Sequence, residues 1–185
     1  LLSARTRYPV KIQEGCDFRC AYCIVPMVRG PSRSAPLGVV LESVGRAVER
    51  GFKEIVLTGT HIGRYCADEC RGIGALLDRI LRIEGDFRVR LSSIDARELD
   101  HELLETIAGK DRVCKHLHVG VQSLSPRVLK AMGRATTDTE NLLRLLAEVH
   151  RVCPDCSLGG DFIVGFPGES ESMFERTCEG IERAG

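Results

Sequence analysis

The sequence has no net charge, no long apolar run and no leader pattern. Its 26 basic residues balance its 26 acidic residues, so no overall basic field indicates a nucleic-acid partner, and such a contact would need a local patch. No apolar run approaches the roughly 20 residues of a membrane-spanning helix, and no signal-peptide pattern stands at the start. We therefore expect a cytoplasmic protein with no membrane partner. No linker or low-complexity segment divides the 185 residues, which predicts a single domain.

Cysteine, by contrast, is abundant, with nine residues. The odd count, the length of the chain and its helix-sized apolar patterns argue against a secreted disulfide scaffold, and reduced thiols in a cytosol fit better. The chain opens with Leu1 rather than Met and stops at Gly185 within a helical pattern. We expect it to be part of a longer protein.

Three of the cysteines, Cys16, Cys20 and Cys23, form a C-x3-C-x2-C triplet behind the first strand-like run. Structural zinc sites and most iron–sulfur clusters are closed by four protein ligands. A cluster held by three cysteines leaves one iron open to another ligand. Two other interpretations stay open for the triplet: half of a zinc site, or small buried apolar side chains.

Strand-like and helix-like runs alternate along the chain. Short apolar or β-branched runs predict strands at 8–13, 54–58, 87–92, 116–121 and 158–164. Amphipathic stretches around 40–48, 76–81, 99–107 and 142–149 predict helices between them. Repeated βα units indicate an α/β fold with a parallel sheet and outer helices. Because a closed barrel of this type has eight units, we expect a partial (β/α) barrel or a cut one.

Chemistry in such folds lies at the carboxyl ends of the strands. Five polar segments follow the predicted strands, at 16–23, 58–61, 92–95, 122–123 and 165–169. We therefore expect these segments to converge on one site although they are far apart in sequence.

Four segments, in order, closely resemble the radical S-adenosylmethionine (SAM) methylthiotransferases. They are KIQEGCDFRCAYCIVPMVRGPSRS at 11–34, EIVLTGTHIG at 54–63, RLSSI at 90–94 and FIVGFPGE at 162–169. The runs GPSRS and TGTHIG are most similar to the subgroup that acts on threonylcarbamoyladenosine in tRNA. The resemblance implies a radical SAM core of the partial-barrel type, in which Cys16, Cys20 and Cys23 hold a [4Fe-4S] cluster. The cluster would cleave SAM reductively to a 5′-deoxyadenosyl radical.

The same resemblance assigns the residues that would bind SAM. Tyr22 would lie against the adenine, and the backbone carbonyls of Thr58 and Gly59 would accept the methionine amino group. The remaining contacts would be Gln122 and Asp161 to the ribose hydroxyls, Arg134 to the carboxylate, and Ser93 and then Asp95 as further polar contacts. The fifth strand is expected to be buried, so a lone carboxylate at Asp161 would need a partner.

Three further residues have two interpretations each. Arg29 and Arg33 form a small basic patch beside the cluster loop. The patch would contact phosphate or substrate, or would pair with acidic neighbours as a solvated loop. His61 would contact substrate, or would be a hydrogen-bonded structural histidine.

The resemblance also implies parts that these 185 residues do not contain. Methylthiotransferases carry a second [4Fe-4S] cluster on three cysteines of an N-terminal domain, and a small C-terminal RNA-binding domain. This core alone is therefore expected to cleave SAM without completing methylthiolation. The implied partners are tRNA and an electron donor such as flavodoxin or ferredoxin.

One segment departs from the family pattern. The run VGVQSL at 119–124 is closer to other radical SAM branches, and the spacing of Gln122 and Arg134 also resembles the coproporphyrinogen oxidase branch. Two alternatives therefore stay open: a coproporphyrinogen oxidase-like radical SAM reaction, and a non-catalytic metal-binding scaffold.

The other six cysteines have no assigned role. Cys66 and Cys70 are expected at the active-site end, as a disulfide or metal pair or as packing residues. Cys114, Cys153 and Cys156 are expected at the opposite end, as a separate metal site or as packing residues. No placement is predicted for the sixth, Cys178.

Overall fold

The computed structural model describes residues 6–184. The strands are β1 (Arg7–Lys11), β2 (Gln13–Glu14), β3 (Arg33–Ser34), β4 (Glu54–Thr58), β5 (Cys66–Ala67), β6 (Cys70–Arg71), β7 (Arg88–Leu91), β8 (Ile94–Asp95), β9 (His116–Gln122) and β10 (Ser157–Phe162). The helices are α1 (Val25–Arg29), α2 (Leu37–Glu49), α3 (Gly72–Ile80), α4 (His101–Gly109), α5 (Pro126–Ala131), α6 (Thr139–Val152) and α7 (Glu171–Ala184). Among residues 6–184, no helix combines the length and the apolar character that a bilayer crossing requires.

Five long strands follow one another in chain order. β1, β4 and β7 pair in parallel, and β8, β9 and β10 form a second parallel sheet. A parallel bridge between Val89 and Val113 connects the third strand to the segment that leads into the fourth. Within the described residues neither β1 nor β10 has a second neighbour. The predicted α/β partial barrel with parallel strands is confirmed.

The helices cover one face of the parallel strands, because successive side chains along each strand point to opposite faces. Val89 and Leu91 of β7 are buried in the core that the strands share with the helices, whereas Arg88 and Arg90 project to the opposite, inner face and reach Glu54 of β4. Each buried aliphatic side chain stabilises the fold by roughly 1.5–3 kcal/mol. The inner face is thereby left free for polar side chains.

The predicted strand bounds differ from the structure at their carboxyl ends. The first strand breaks at Ile12, whose N–H still donates to the Thr58 carbonyl at 2.8 Å. The third leaves its sheet after Leu91 and resumes as β8 in the second sheet. The fifth ends at Phe162. These carboxyl ends bend away from regular pairing at the edge where the polar segments meet.

The cysteines outside the triplet are free thiols. In the β5–β6 hairpin Cys66 pairs with Arg71 and Ala67 with Cys70, so Cys66 and Cys70 point to opposite faces. Cys153 and Cys156 are buried side by side after α6, and burial and the neighbouring Cys153 raise the pKa of Cys156 to about 11. The polar neighbours of Cys114 are instead Arg90 and Glu54. Ordinary packing accounts for the buried thiols Cys70, Cys114, Cys153 and Cys156, whereas Cys66 is exposed and accepts a hydrogen bond from Arg71 at 3.3 Å.

Candidate active site

The cluster loop, residues 16–23, is held by backbone contacts on two sides. The Cys16 N–H donates to the Gly30 carbonyl at 3.1 Å, and the Ala21 N–H donates to the Met132 carbonyl at 2.9 Å. Gly15 precedes the loop with φ +76°, and a Cβ there would lie 2.1 Å from the Pro31 carbonyl oxygen. Only glycine fits this conformation and this approach. The loop position therefore depends on two distant segments of the chain.

The three cysteines open onto one cavity of about 200 Å³ at the carboxyl ends of the strands. Its wall brings them together with most of the residues predicted to bind SAM and with one further charged side chain, Arg97. The wall includes Cys16, Cys20, Cys23, Tyr22, Gly59, Ser93, Gln122, Arg134, Asp95 and Arg97. The predicted convergence of distant segments is thus observed.

Two buried arginines share one aspartate in this wall. Arg134, 2% exposed, donates through both terminal nitrogens to the Asp95 carboxylate, at 2.9 and 3.0 Å. Arg97 donates to the same carboxylate from Nε and Nη2, each at 2.8 Å. Bidentate pairs of this kind fix orientation as well as charge. The cavity is therefore bordered by two guanidinium groups and one carboxylate, which sum to one positive charge.

Asp95 stays ionised because of these partners. Burial alone would raise its pKa, but Arg97, His61 and Arg134 together outweigh burial and hold the pKa of the carboxyl well below its usual range. The same partner raises the pKa of both guanidinium groups, against the opposing effect of burial. All three groups are charged throughout the physiological range.

Arg134 has a single unpartnered donor. Its terminal nitrogens also reach the Tyr22 hydroxyl at 3.3 Å and the Gly120 carbonyl at 3.1 Å. Its Nε is buried, and no hydrogen-bond acceptor contacts it within the described part of the chain. A buried guanidinium N–H without a partner is costly, so this atom can donate to an acceptor that the described residues do not supply.

The cluster loop also contacts Arg97 through Phe18. The Arg97 guanidinium lies 3.5 Å from the centroid of the Phe18 ring, and His61 meets that ring edge-on at 5.0 Å. A cation over an aromatic face is attracted to it. The Arg97–Asp95 pair in the cavity wall therefore contacts, through Phe18, the loop that carries the cysteines.

His61 is buried away from the cavity. Its ring Nδ1 lies 3.1 Å from Glu98, its ring Nε2 lies 3.7 Å from Asp95, and its backbone N–H donates to Gln13 Oε1 at 2.7 Å. These contacts fit the structural interpretation of His61. Contact with substrate stays a prediction that none of them supports.

Gln122 has an unusual backbone conformation, with φ +72°. It lies at an irregularity in the pairing of β9 with β10, and its side chain folds over Gly120, where a Cβ would come 3.1 Å from Gln122 Nε2. A non-glycine residue in the left-handed region is strained, and such strain collects at functional sites. Nothing in the local sequence indicates it.

Two of the predicted SAM contacts do not line the cavity. Thr58 is absent from the cavity wall, and its backbone carbonyl, predicted to accept the methionine amino group, accepts the Ile12 N–H at 2.8 Å instead. Asp161 lies on β10, and its side chain is 65% exposed and 3.0 Å from His118 Nε2. The expectation that Asp161 is buried is wrong, because the inner face of the fifth strand is uncovered.

Arg29 and Arg33 pair with an acidic neighbour. Glu14 lies 3.3 Å from Arg29, 4.0 Å from Arg33 and 3.1 Å from Lys11. Hydrogen bonding and charge from Lys11 are the main causes that lower the pKa of Glu14, and the two arginines add to them. One carboxylate cannot balance three cations, so the patch keeps an excess of two positive charges beside the cluster loop.

The sequence interpretation missed Gln13, Phe18 and Arg97. Gln13 is 2% exposed and donates to the Gly15 carbonyl and to Ser32 Oγ, which joins the first strand to both sides of the loop. No local sequence pattern distinguishes Gln13, Phe18 or Arg97 from a solvated residue near a strand end. The only indication for Arg97 was that residues 92–95, just before it, follow a predicted strand.

The residues present fit an iron–sulfur cluster with an open iron. The three cysteines are free thiols on one wall. In the described residues no set of three or more His, Cys, Asp or Glu side chains is placed to hold a single ion. A cluster needs no such point, because each cysteine binds a different iron.

A partial parallel barrel with a cysteine triplet facing a cavity defines a class of radical-generating enzyme domains. Residues 10–181 match the model of the Radical SAM superfamily, and the chain belongs to this family. Membership confirms the predicted pairing of SAM with a [4Fe-4S] cluster.

Its relatives include tRNA-modifying enzymes. A threonylcarbamoyladenosine tRNA methylthiotransferase of Thermotoga maritima is 41% identical over 180 residues, which cover 97% of this chain and 41% of that relative. A tRNA-2-methylthio-N(6)-dimethylallyladenosine synthase of Syntrophotalea carbinolica is 41% identical over 184 residues, which cover 98% of this chain and 42% of that relative. The chain thus spans less than half the length of these curated relatives.

Solved structures show the same fold. The radical S-adenosylmethionine methyltransferase TsrM of Kitasatospora setae, solved with cobalamin and a [4Fe-4S] cluster, superimposes with a TM-score of 0.76 at 17% identity. The match covers 96% of this chain and 34% of that one. At this identity the likeness concerns the fold alone.

Proposed function

We propose that this chain is the radical SAM core of a tRNA methylthiotransferase that acts on threonylcarbamoyladenosine. The observation that carries the proposal is the single cavity that joins Cys16, Cys20 and Cys23 to Gln122 and Arg134. The names of the relatives support methylthiolation over the coproporphyrinogen oxidase-like alternative and over a non-catalytic scaffold.

The cluster and SAM, when bound, supply one-electron cleavage to methionine and a 5′-deoxyadenosyl radical. The three cysteines would hold the cluster, and the Nε–H of Arg134, which has no partner among the described residues, would bind the methionine carboxylate. The Tyr22 hydroxyl accepts a hydrogen bond from Arg134, and its ring would lie against the adenine. Gln122 and Ser93 would contribute polar contacts, and the carbonyl of Gly59 would accept the amino group.

Gly59 has room for this role only as glycine. A Cβ there would lie 2.8 Å from the Gln13 carbonyl oxygen, so only glycine lets this turn pack against Gln13 while it lines the cavity. Thr58 and Asp161 have less support as SAM contacts, because neither lines the wall.

The choice of threonylcarbamoyladenosine depends on the motifs GPSRS and TGTHIG. The two relatives described above belong to different subgroups and have the same identity, so identity alone does not separate them. The excess charge around Glu14 fits a tRNA backbone. The proposal further includes a cytoplasmic location, an electron donor such as flavodoxin or ferredoxin, and a second [4Fe-4S] cluster on an N-terminal domain outside this chain.

The test uses the full-length protein with its clusters reconstituted without oxygen. The protein is incubated with SAM, a reductant and tRNA that carries threonylcarbamoyladenosine or isopentenyladenosine, and the digested nucleosides are analysed by mass spectrometry. We expect a methylthio group on threonylcarbamoyladenosine. Methylthiolation of isopentenyladenosine instead would overturn the subgroup, and no modified nucleoside from either tRNA would overturn the proposal.

A further inference from the structure

The inner face of β9 and β10 continues beyond the cavity as an uncovered polar surface. Val119 and Val121 of β9 are buried toward the helices, so the alternate residues His118, Gly120 and Gln122 lie on the inner face. Gly120 and Gln122 line the cavity. His118 is therefore the next inner-face residue, one step along the same strand from the cavity wall.

His118 is held by one partner and has open space around it. Its Nε2 lies 3.0 Å from Asp161 Oδ2, and the two side chains are 34% and 65% exposed. The register pairs His118 with Gly159 and Asp161 with Gly120. Both pairing partners are glycines, and a Cβ on Gly159 would come 3.0 Å from His118 Nδ1. The surface is a flat backbone floor with one oriented imidazole.

Stability does not account for this pair. An ion pair this exposed contributes little to folding, and the glycines around it remove side chains that would otherwise cover the sheet. An aspartate on one imidazole nitrogen instead fixes the ring and the position of its protons. Asp161 Oδ2 lies against Nε2, so the tautomer with its proton on Nε2 would leave Nδ1 to accept a hydrogen bond.

We propose that His118, oriented by Asp161, accepts a hydrogen bond from an N–H or O–H group of the RNA nucleoside and positions that nucleoside beside the cofactor cavity. The inference rests on the proposed function and deepens it. It also gives Asp161 a role other than contact with the SAM ribose. His118 acts on the nucleoside and Asp161 acts through His118, as a positioning residue.

The test compares variants of the full-length, cluster-loaded protein. For each variant we would measure SAM affinity by calorimetry, KM for the RNA, and the ratio of 5′-deoxyadenosine to methylthiolated nucleoside. His118→Ala is expected to raise KM for the RNA, or the ratio, by about tenfold, as for loss of one hydrogen bond. SAM affinity should change much less. His118→Asn, whose amide oxygen lies near the position of Nδ1, should recover part of the loss.

Asp161→Asn should shift the same two quantities in the same direction by a smaller factor. If His118→Ala does not fold, Asp161→Asn is the variant that tests the inference. The matched control is His101→Ala on α4, an exposed histidine beside Glu105, which should shift none of the three quantities.

Two outcomes would overturn the inference. If the variants weaken SAM binding as strongly as they lower product, the pair belongs to the cofactor site. If RNA KM and the ratio stay at the wild-type values, the pair has no part in substrate positioning. Wild-type protein that cleaves SAM and still modifies no tRNA would instead count against the proposed function, and the inference would fall with it.

Discussion

At the scale of single residues, Asp95 determines the charge of the cavity. It accepts four hydrogen bonds from the side chains of Arg97 and Arg134, at 2.8 to 3.0 Å. Removing one partner of a buried charged network leaves the others uncompensated, which costs more than the network contributes as a whole. Asp95 therefore matters for stability and for the position of both arginines.

Asp95→Asn should destabilise the protein by about 3–5 kcal/mol, because two buried guanidinium groups lose their counter-charge. Urea denaturation of the full-length protein would measure the change in the free energy of unfolding. The control is Asp86→Asn, which removes an exposed pair with Lys53 and should leave the unfolding midpoint unchanged. Equal midpoints for the two variants would show that the buried network does not stabilise the fold.

At the scale of elements, the cluster loop owes its position to close backbone approaches. A Cβ built on Gly15 would lie 2.1 Å from the Pro31 carbonyl oxygen, and a Cβ built on Gly133 would lie 3.1 Å from the Arg19 carbonyl oxygen. Both glycines have positive φ. The loop is thus fitted between two turns, and this fit determines where the cysteines face.

Gly15→Ala should lower the iron content of the reconstituted protein, because the added methyl group forces the loop away from Pro31 and also strains the backbone. Gly38→Ala is the matched control, since a Cβ at that position in α2 meets nothing within 4 Å. Iron and sulfide analysis per protein chain would compare the two. Full cluster occupancy in Gly15→Ala would contradict the account of the loop.

The elements were largely predictable from the sequence, and the details of the site were not. Alternation of apolar runs located all five long strands and their parallel order, because buried strands need apolar side chains on the helix-covered face. The triplet and the strand-end rule brought most of the cavity residues together. Three features depend on neighbours that are distant in sequence, so no local pattern indicates them. They are the left-handed backbone conformation of Gln122, the burial of Arg97 and the exposure of Asp161.

At the scale of the whole molecule, neutral net charge conceals a local excess. Lys11, Arg29 and Arg33 surround Glu14 beside the cluster loop, and the other charges of the chain, 23 basic and 25 acidic, sum to −2. Phosphate binding depends on such local patches, and each phosphate that is neutralised adds to the salt dependence of binding.

The double substitution Arg29→Gln with Arg33→Gln should weaken tRNA binding by the full-length protein. The slope of log affinity against log salt concentration should fall by about 2, because each arginine that no longer meets a phosphate lowers the slope by about 1. Arg144→Gln with Arg151→Gln on the outer helix α6 removes the same two charges and should leave the slope unchanged. A double variant that retains the wild-type slope would show that this patch does not meet the RNA backbone.

The central claim is that Cys16, Cys20 and Cys23 hold a cluster that cleaves SAM in the adjoining cavity. The most direct measurement is 5′-deoxyadenosine formed per protein chain, in the absence of oxygen, by full-length protein that carries its cluster and receives SAM and a reductant. The account predicts 5′-deoxyadenosine from the wild type and from the control Cys178→Ala, and none from Cys20→Ala. A wild-type protein that holds its cluster and binds SAM but forms no 5′-deoxyadenosine would contradict it.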